Sequence, residues 1–247
     1  MTIERPSRRT IVTALVLLAL SAVFNAVFGL FTFGRSDDDT RESTTNIVSL
    51  PEANKESDVS VERAIANRRS RRTYDERPLT VAELGQLLWA AQGVTERLTG
   101  HRAAPSAGAL YPIELYVVVG TGSVTGLEDG VYRYRPKTHE LVLGQTGDVR
   151  SELRAAALDQ DPVETAPVDI VVCSVDERTT QKYGDRGARR YVPMEAGHVG
   201  ENIYLQAESL RLSTVSIGAF GDQRVADIVG APEDQRPLYI FPVGARI

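Results

Sequence analysis

Cysteine is almost missing from this chain. Cys173 stands alone, which excludes an intrachain disulfide framework. It sits in the apolar run Val168-Asp169-Ile170-Val171-Val172-Cys173, where a buried, inert thiol is expected. Histidine is scarce as well: His101, His139 and His198 are widely separated, and none belongs to a recognisable ligand pair, so no metal site is expected. An excess of positive charge is also absent. A net charge of −5 argues against a nucleic-acid binder driven by phosphate neutralisation. The basic residues that are present cluster locally at Arg68, Arg69, Arg71 and Arg72, which leaves room for an anion site. Internal repeats are lacking.

With 42% hydrophobic and 25% charged residues, the chain reads as globular, one domain plus an extra segment. That extra segment is 1–33. Ile11 to Phe33 is uncharged, mostly apolar and long enough to cross a hydrocarbon core as a helix. It follows Arg5, Arg8 and Arg9, so it reads as an uncleaved signal anchor or a long signal peptide; a helix buried in the folded core is the alternative. Ser7-Arg8-Arg9-Thr10-Ile11-Val12 partly matches a twin-arginine export signal. Three arginines before the span against Arg35 and Arg41 after it favour a cytoplasmic N-terminus with the folded domain outside. Residues 34–46 read as a flexible polar linker, and 47–247 as the folded domain.

Within that domain the pattern is α+β. Val61, Ala64, Ile65 and Arg68 fall at helical spacing. Thr80 with Glu83 forms a capping box opening a helix whose apolar face is Val81, Leu84, Leu87, Leu88 and Ala91, stopped by Gly93. Leu115–Gly120 and Val168–Val175 read as buried strands, and Gly130–Tyr134 with Glu140–Leu143 as a hairpin. Ser151–Asp159 reads as a helix. Val192–Leu210 is the longest helix of the domain, buried along Ala196, Val199, Ile203, Ala207 and Leu210. Thr214–Ile217, a short helix over Gln223–Gly230 and an extended Leu238–Gly244 complete it.

The most informative stretch is Ala104-Pro105-Ser106-Ala107-Gly108-Ala109-Leu110-Tyr111-Pro112. Its small residues let backbone come close to something flat, and Ser106 supplies a polar contact, which points to a planar cofactor. Arg68-Arg69-Ser70-Arg71-Arg72-Thr73-Tyr74 brings planar cationic forks and hydroxyls suited to a phosphate or a carbonyl-rich edge. A solvated basic helix end is its plainer reading. Gly120-Thr121-Gly122 imitates a dinucleotide-binding turn, but Thr125 stands where glycine is needed and a strand pattern follows instead of a helix.

Taken in order, these segments resemble the flavin-dependent nitroreductase family. The likeness rests on Arg-Arg-Ser-Arg-Arg-Thr-Tyr, Leu87-Leu88-Trp89-Ala90-Ala91-Gln92-Gly93-Val94, the Pro105–Pro112 run and Tyr132-Arg133-Tyr134. It continues through Lys182-Tyr183-Gly184-Asp185-Arg186 and Glu195-Ala196-Gly197-His198-Val199-Gly200-Glu201-Asn202. It looks most like the branch containing the azoline (thiazoline and oxazoline) dehydrogenases of peptide natural-product maturation. The resemblance implies an antiparallel-rich central sheet flanked by helices and an intertwined homodimer holding FMN at its interface. It further implies that Arg68, Arg69, Ser70 and Arg72 bind FMN, with Arg246 helping to hold the phosphate. Pro105, Ser106, Ala107 and Gly108 would pack on the flavin from the other subunit, and Ile217, Gly218 and Ala219 would lie beside the ring with a backbone N–H toward its reactive nitrogen.

Lys182 and Tyr183 match the pair implicated in proton removal in that branch, as hydride transfer from a C–H carbon requires a base for the adjacent proton. A loop pair with Lys182 in solvent and Tyr183 packed at the interface is the alternative. The expected activity is FMN-dependent hydride transfer with a small-molecule or peptide-derived substrate. The rivals are an NAD(P)H-dependent nitro or quinone reductase and a non-catalytic, membrane-tethered binding module. Typical relatives lack an N-terminal span. With the domain outside the cytoplasm NAD(P)H does not reach it, and a quinone, redox partner or oxygen must exchange the electrons.

Overall fold

The computed structural model describes residues 46–247. The membrane span expected over Ile11–Phe33 and nearly all of the linker lie outside the described residues. Among the described residues no helix is long and apolar enough to cross a membrane.

The core is a seven-stranded, wholly antiparallel sheet. In chain order its strands are β1 (Ile47–Ser49), β5 (Ile113–Val119), β7 (Gly130–Arg135), β8 (Glu140–Thr146), β9 (Val168–Val175), β10 (Leu212–Thr214) and β11 (Gln235–Ala245). They pair in the spatial order β1-β8-β7-β5-β9-β11-β10. Two small ladders lie apart from it: β2 (Leu79–Thr80) with β6 (Val124–Thr125), and β3 (Val94–Glu96) with β4 (His101–Arg102). The central strands β5 and β9 are buried at every residue, because helices cover both faces of the sheet; this is why they read as continuous apolar runs.

One face carries α2 (Val81–Gln92) and α6 (Val192–Ser209), packed through Leu84, Leu87, Leu88, Val199 and Ile203 on Leu115, Val117, Ile170 and Phe241. The other face carries α3 (Arg150–Ala156), α4 (Asp161–Thr165) and α7 (Asp222–Val229), packed on Val118, Val171 and Ile240. The expected capping box is present: the Glu83 N–H donates to Thr80 Oγ1 at 3.1 Å and the Thr80 N–H to the Glu83 carboxylate at 2.8 Å. The α6 face also follows expectation, with Ala196, Val199, Ile203 and Ala207 buried. Cys173 is buried, as its apolar strand implies.

Several boundaries differ from the sequence reading, among them the segment expected over Thr214–Ile217, where the strand is Leu212–Thr214. The helix expected to reach Asp159 ends at Ala156, because Leu158 and Asp159 both take φ of 57°, outside helical backbone. The last strand starts at Gln235, since its N-terminal half pairs with β9 as far as Val175. The segment before α6, left unassigned above, forms helix α5 (Glu177–Tyr183) and a π-helical turn over Gly187–Tyr191. Helix α1 (Val61–Asn67) is capped by Ser60, whose hydroxyl accepts from the Arg63 N–H at 3.2 Å.

Candidate functional site

The residues singled out by sequence gather into two groups. The first is built around Tyr204 on α6. Arg68, the residue that caps α1, lays its guanidinium 5.2 Å from the Tyr204 ring centre. Ser70 Oγ lies 2.9 Å from the Tyr204 hydroxyl, which also accepts from the Ser216 N–H at 2.8 Å. One phenol therefore ties the arginine segment to the Ser216–Ala219 segment, although the two are far apart in sequence. Ile217 is buried and exchanges both backbone hydrogen bonds with Ile240, at 2.8 and 2.9 Å. That bridge holds Gly218 and Ala219 at the surface. Among the described residues no acceptor meets the N–H of either one.

The other arginines divide their roles. Arg69 donates to the Ala66 and Arg68 carbonyls, at 3.1 and 2.7 Å, and so closes the end of its own helix. Arg71 pairs with the buried carboxylate of Glu208. Arg246 donates to the same carboxylate at 2.9 Å and to the Leu212 carbonyl at 2.9 Å, while its buried Nε has no partner among the described residues. Two guanidiniums on one carboxylate leave a net positive charge beside Arg68 and Ser70. Arg72 stays exposed.

The second group is the Pro105–Pro112 loop with Lys182 and Tyr183. Ala107–Ala109 makes a tight turn whose backbone is left-handed at Gly108, with φ of 65°. A Cβ on Gly108 would lie 2.8 Å from the Tyr183 hydroxyl and 2.9 Å from Lys182 Nζ. The glycine is thus where both candidate proton-transfer groups rest. They come from the last turn of α5, which Gly184 terminates with φ of 58°. Tyr183 is held edge-on by Tyr191, with ring centres 4.9 Å apart at 79°. Tyr191 is placed by the π-helical turn, seated so closely that a Cβ on Gly187 would lie 2.9 Å from the Thr179 main chain. Single π-turns of this kind are frequent at functional sites. The pair lies at a helix end and not in a loop; Lys182 is exposed, as the alternative reading had it, and Tyr183 is half-buried.

Beside this group lies a cavity of ≈ 290 Å³ lined by Pro105, Ser106, Ala107, Tyr191, Glu195 and His198, among others. Glu195 is buried, which pushes its carboxyl up from the ordinary range against the opposing pull of Ser106, Gln92, Arg102 and His198. A larger cavity of ≈ 500 Å³, around Trp89, Lys137 and His139, shares no residue with either group. Among the described residues no cluster of ligating side chains could hold a metal ion.

Tyr204, Tyr191 and the Gln92–Glu195 pair were not singled out individually from sequence. Tyr204 falls on the apolar face of a helix, where an aromatic reads as core, and the π-turn has no pattern of its own. The two groups share no hydrogen bond, ion pair or ring contact among the described residues.

Residues 65–245 match the nitroreductase family. The chain is 46% identical over 190 residues to a nitroreductase-named protein of Methanocaldococcus jannaschii, covering 77% of this chain and 93% of that one. A nitroreductase-family crystal structure from Ralstonia eutropha superposes with a TM-score of 0.72 at 30% identity, covering 83% of this chain and 92% of its own. The microcin B17-processing protein of Escherichia coli is 28% identical over 167 residues, 66% of this chain and 60% of that protein. This chain belongs to the nitroreductase family, a family of flavin-dependent oxidoreductases.

Proposed function

We propose that the protein is an FMN-dependent oxidoreductase whose flavin sits between the two groups, each supplied by a different subunit of a homodimer. The observation that carries this reading is the division itself. One group offers phosphate ligands and unpaired backbone donors; the other offers a flat small-residue loop and a proton-transfer pair; within one chain they do not meet. The donor set fits FMN. Arg68, Ser70 and the net positive Arg71–Glu208–Arg246 cluster suit a phosphate and its ribityl chain. The unpartnered N–H groups of Gly218 and Ala219 suit the edge of the ring, and Pro105–Gly108 its face.

When bound, FMN supplies two-electron hydride chemistry. Hydride departure from a substrate carbon leaves a proton to be removed from the neighbouring atom. Lys182 Nζ and the Tyr183 hydroxyl, both poised over Gly108, take that role. Tyr191 fixes the Tyr183 ring, and the cavity beside Pro105–Ala107 receives the substrate. The sequence likeness to the azoline dehydrogenases, together with the relationship to a microcin-processing protein, favours a heterocycle-bearing peptide as substrate.

The test is anaerobic mixing of the flavin-loaded protein with a synthetic thiazoline-bearing peptide. The reading predicts bleaching of the oxidised flavin band and a thiazole product. Lys182→Ala and Tyr183→Phe should retain flavin yet bleach about 10²- to 10⁴-fold more slowly, the usual range for a lost acid–base group. Bleaching by NAD(P)H with none by the peptide would instead establish a nitro or quinone reductase.

A further inference from the structure

Glu195 is a buried carboxylate for which the mechanism above has no use. It is 2% exposed, lies in the first turn of α6 and forms part of the wall of the ≈ 290 Å³ cavity. It ends a chain of hydrogen bonds with a defined direction. Arg102 Nη1 donates to Gln92 Oε1 at 3.0 Å. Arginine only donates, so the Gln92 oxygen must face Arg102 and its NH₂ must face Glu195, where Nε2 and Oε1 are 3.4 Å apart. On the other side the Arg102 N–H donates to the Tyr111 phenol at 3.1 Å, and the Tyr111 N–H donates to Ser106 Oγ at 2.9 Å. Ser106 Oγ, which accepts from Tyr111, lines the same cavity wall as Glu195. The path from Tyr111 through Arg102 and Gln92 ends by donating to the carboxylate. A protonated Glu195 would present a donor of its own to the Gln92 NH₂.

The chain meets a strained loop at Tyr111, whose N–H ties back to Ser106 at the loop's other end. Between Ser106 and Tyr111 the backbone enters the left-handed region at Gly108, at Ala109 (φ 54°) and at Tyr111 (φ 47°). For the two residues bearing a Cβ this backbone is strained and persists only where the surroundings impose it. Gly108, in the middle, is the residue against which Lys182 and Tyr183 rest.

We propose that Glu195 is a positioning residue: its carboxylate, acting through Gln92 and Arg102, holds the Pro105–Pro112 loop in the strained shape that seats Lys182 and Tyr183 against Gly108. The proposal rests on the reading that this loop and pair form the working site. The charged groups facing Glu195 are Arg102 from β4 and His198 from α6, with Arg178 of α5 and Glu114 of β5 beyond Arg102. Burial raises the acid's pKa above its reference value of 4.5, so release of the loop would begin on acidification from a pH above that value.

The experiment is lysine acetylation of the full chain, read by mass spectrometry at Lys182 relative to the other two lysines, Lys55 and Lys137, between about pH 5 and 8. In the wild type the Lys182 ratio should rise about threefold on acidification. In Glu195→Gln it should be about threefold higher at neutral pH and independent of pH. Gln92→Met, which cuts the same link without altering the charge, should behave alike and answers the question if the glutamine variant fails to fold. A Lys182 ratio unchanged in both folded variants would overturn the proposal. The labelling does not require bound flavin, so a colourless protein would count against the FMN reading and leave this test standing.

Discussion

Asp169 sets the clearest single-residue prediction. Its carboxylate is fully buried on β9, with no hydrogen-bond partner for either oxygen among the described residues. Burial, the dominant cause, pushes its pKa well above the reference value of 3.8, while Arg150 opposes and Asp148 assists. The folded state therefore holds a proton that the unfolded chain releases, and stability falls as pH rises from about 3.8 towards the folded pKa. Asp169→Asn removes this dependence. Thermal melts should show the variant more stable by about 1–3 kcal/mol at alkaline pH, with the gain vanishing below about pH 4. At this scale the sequence is legible wherever chemistry and spacing agree. Lys182 and Tyr183 were readable as a pair because they match a known motif, and the structure sets both on Gly108. Tyr204 was not, because its hydroxyl acts across a gap in sequence that periodicity does not bridge. The resemblance names Arg69 and Arg246 for FMN but does not foretell their bonds within the chain: one closes a helix end and the other shares Glu208.

Elements were readable where local signals were complete. The helix Val81–Gln92 carries its own start and stop, and its ends lie where Thr80, Glu83 and Gly93 put them. Thr80→Ala should cost about 1 kcal/mol, read as a lower denaturation midpoint with an unchanged slope, because the cap serves the native helix alone. The π-turn at Gly187–Tyr191 has no such signal; it exists because Gly187 lets the chain press onto the Thr179 main chain. Main chain cannot swing aside as a side-chain tip can. Gly187→Ala should therefore displace the turn, cost about 1–3 kcal/mol, and loosen Tyr191 from Tyr183. Near-ultraviolet circular dichroism would register the loss of that tyrosine pair, and an unaltered spectrum and melting point would contradict the tight seating.

At the scale of the whole molecule, the α+β architecture and the burial of β5 and β9 follow from apolar runs interleaved with amphipathic helices. The two-group arrangement does not, because spacing along one chain cannot say which segments meet within it and which meet across a subunit boundary. If the flavin lies between subunits, an Arg68→Glu chain and a Ser106→Trp chain should each lack flavin alone. Mixed as a heterodimer, they should regain about one intact site for every two, measured as bound FMN per dimer. Recovery of none would place both groups in separate roles. The proposed function depends on the flavin itself. The most direct measurement is the visible spectrum of the purified, untreated protein, followed by release and chromatographic identification of any chromophore. The account predicts FMN at one equivalent per chain on a homodimer. A folded, colourless protein that also fails to take up added FMN would contradict it.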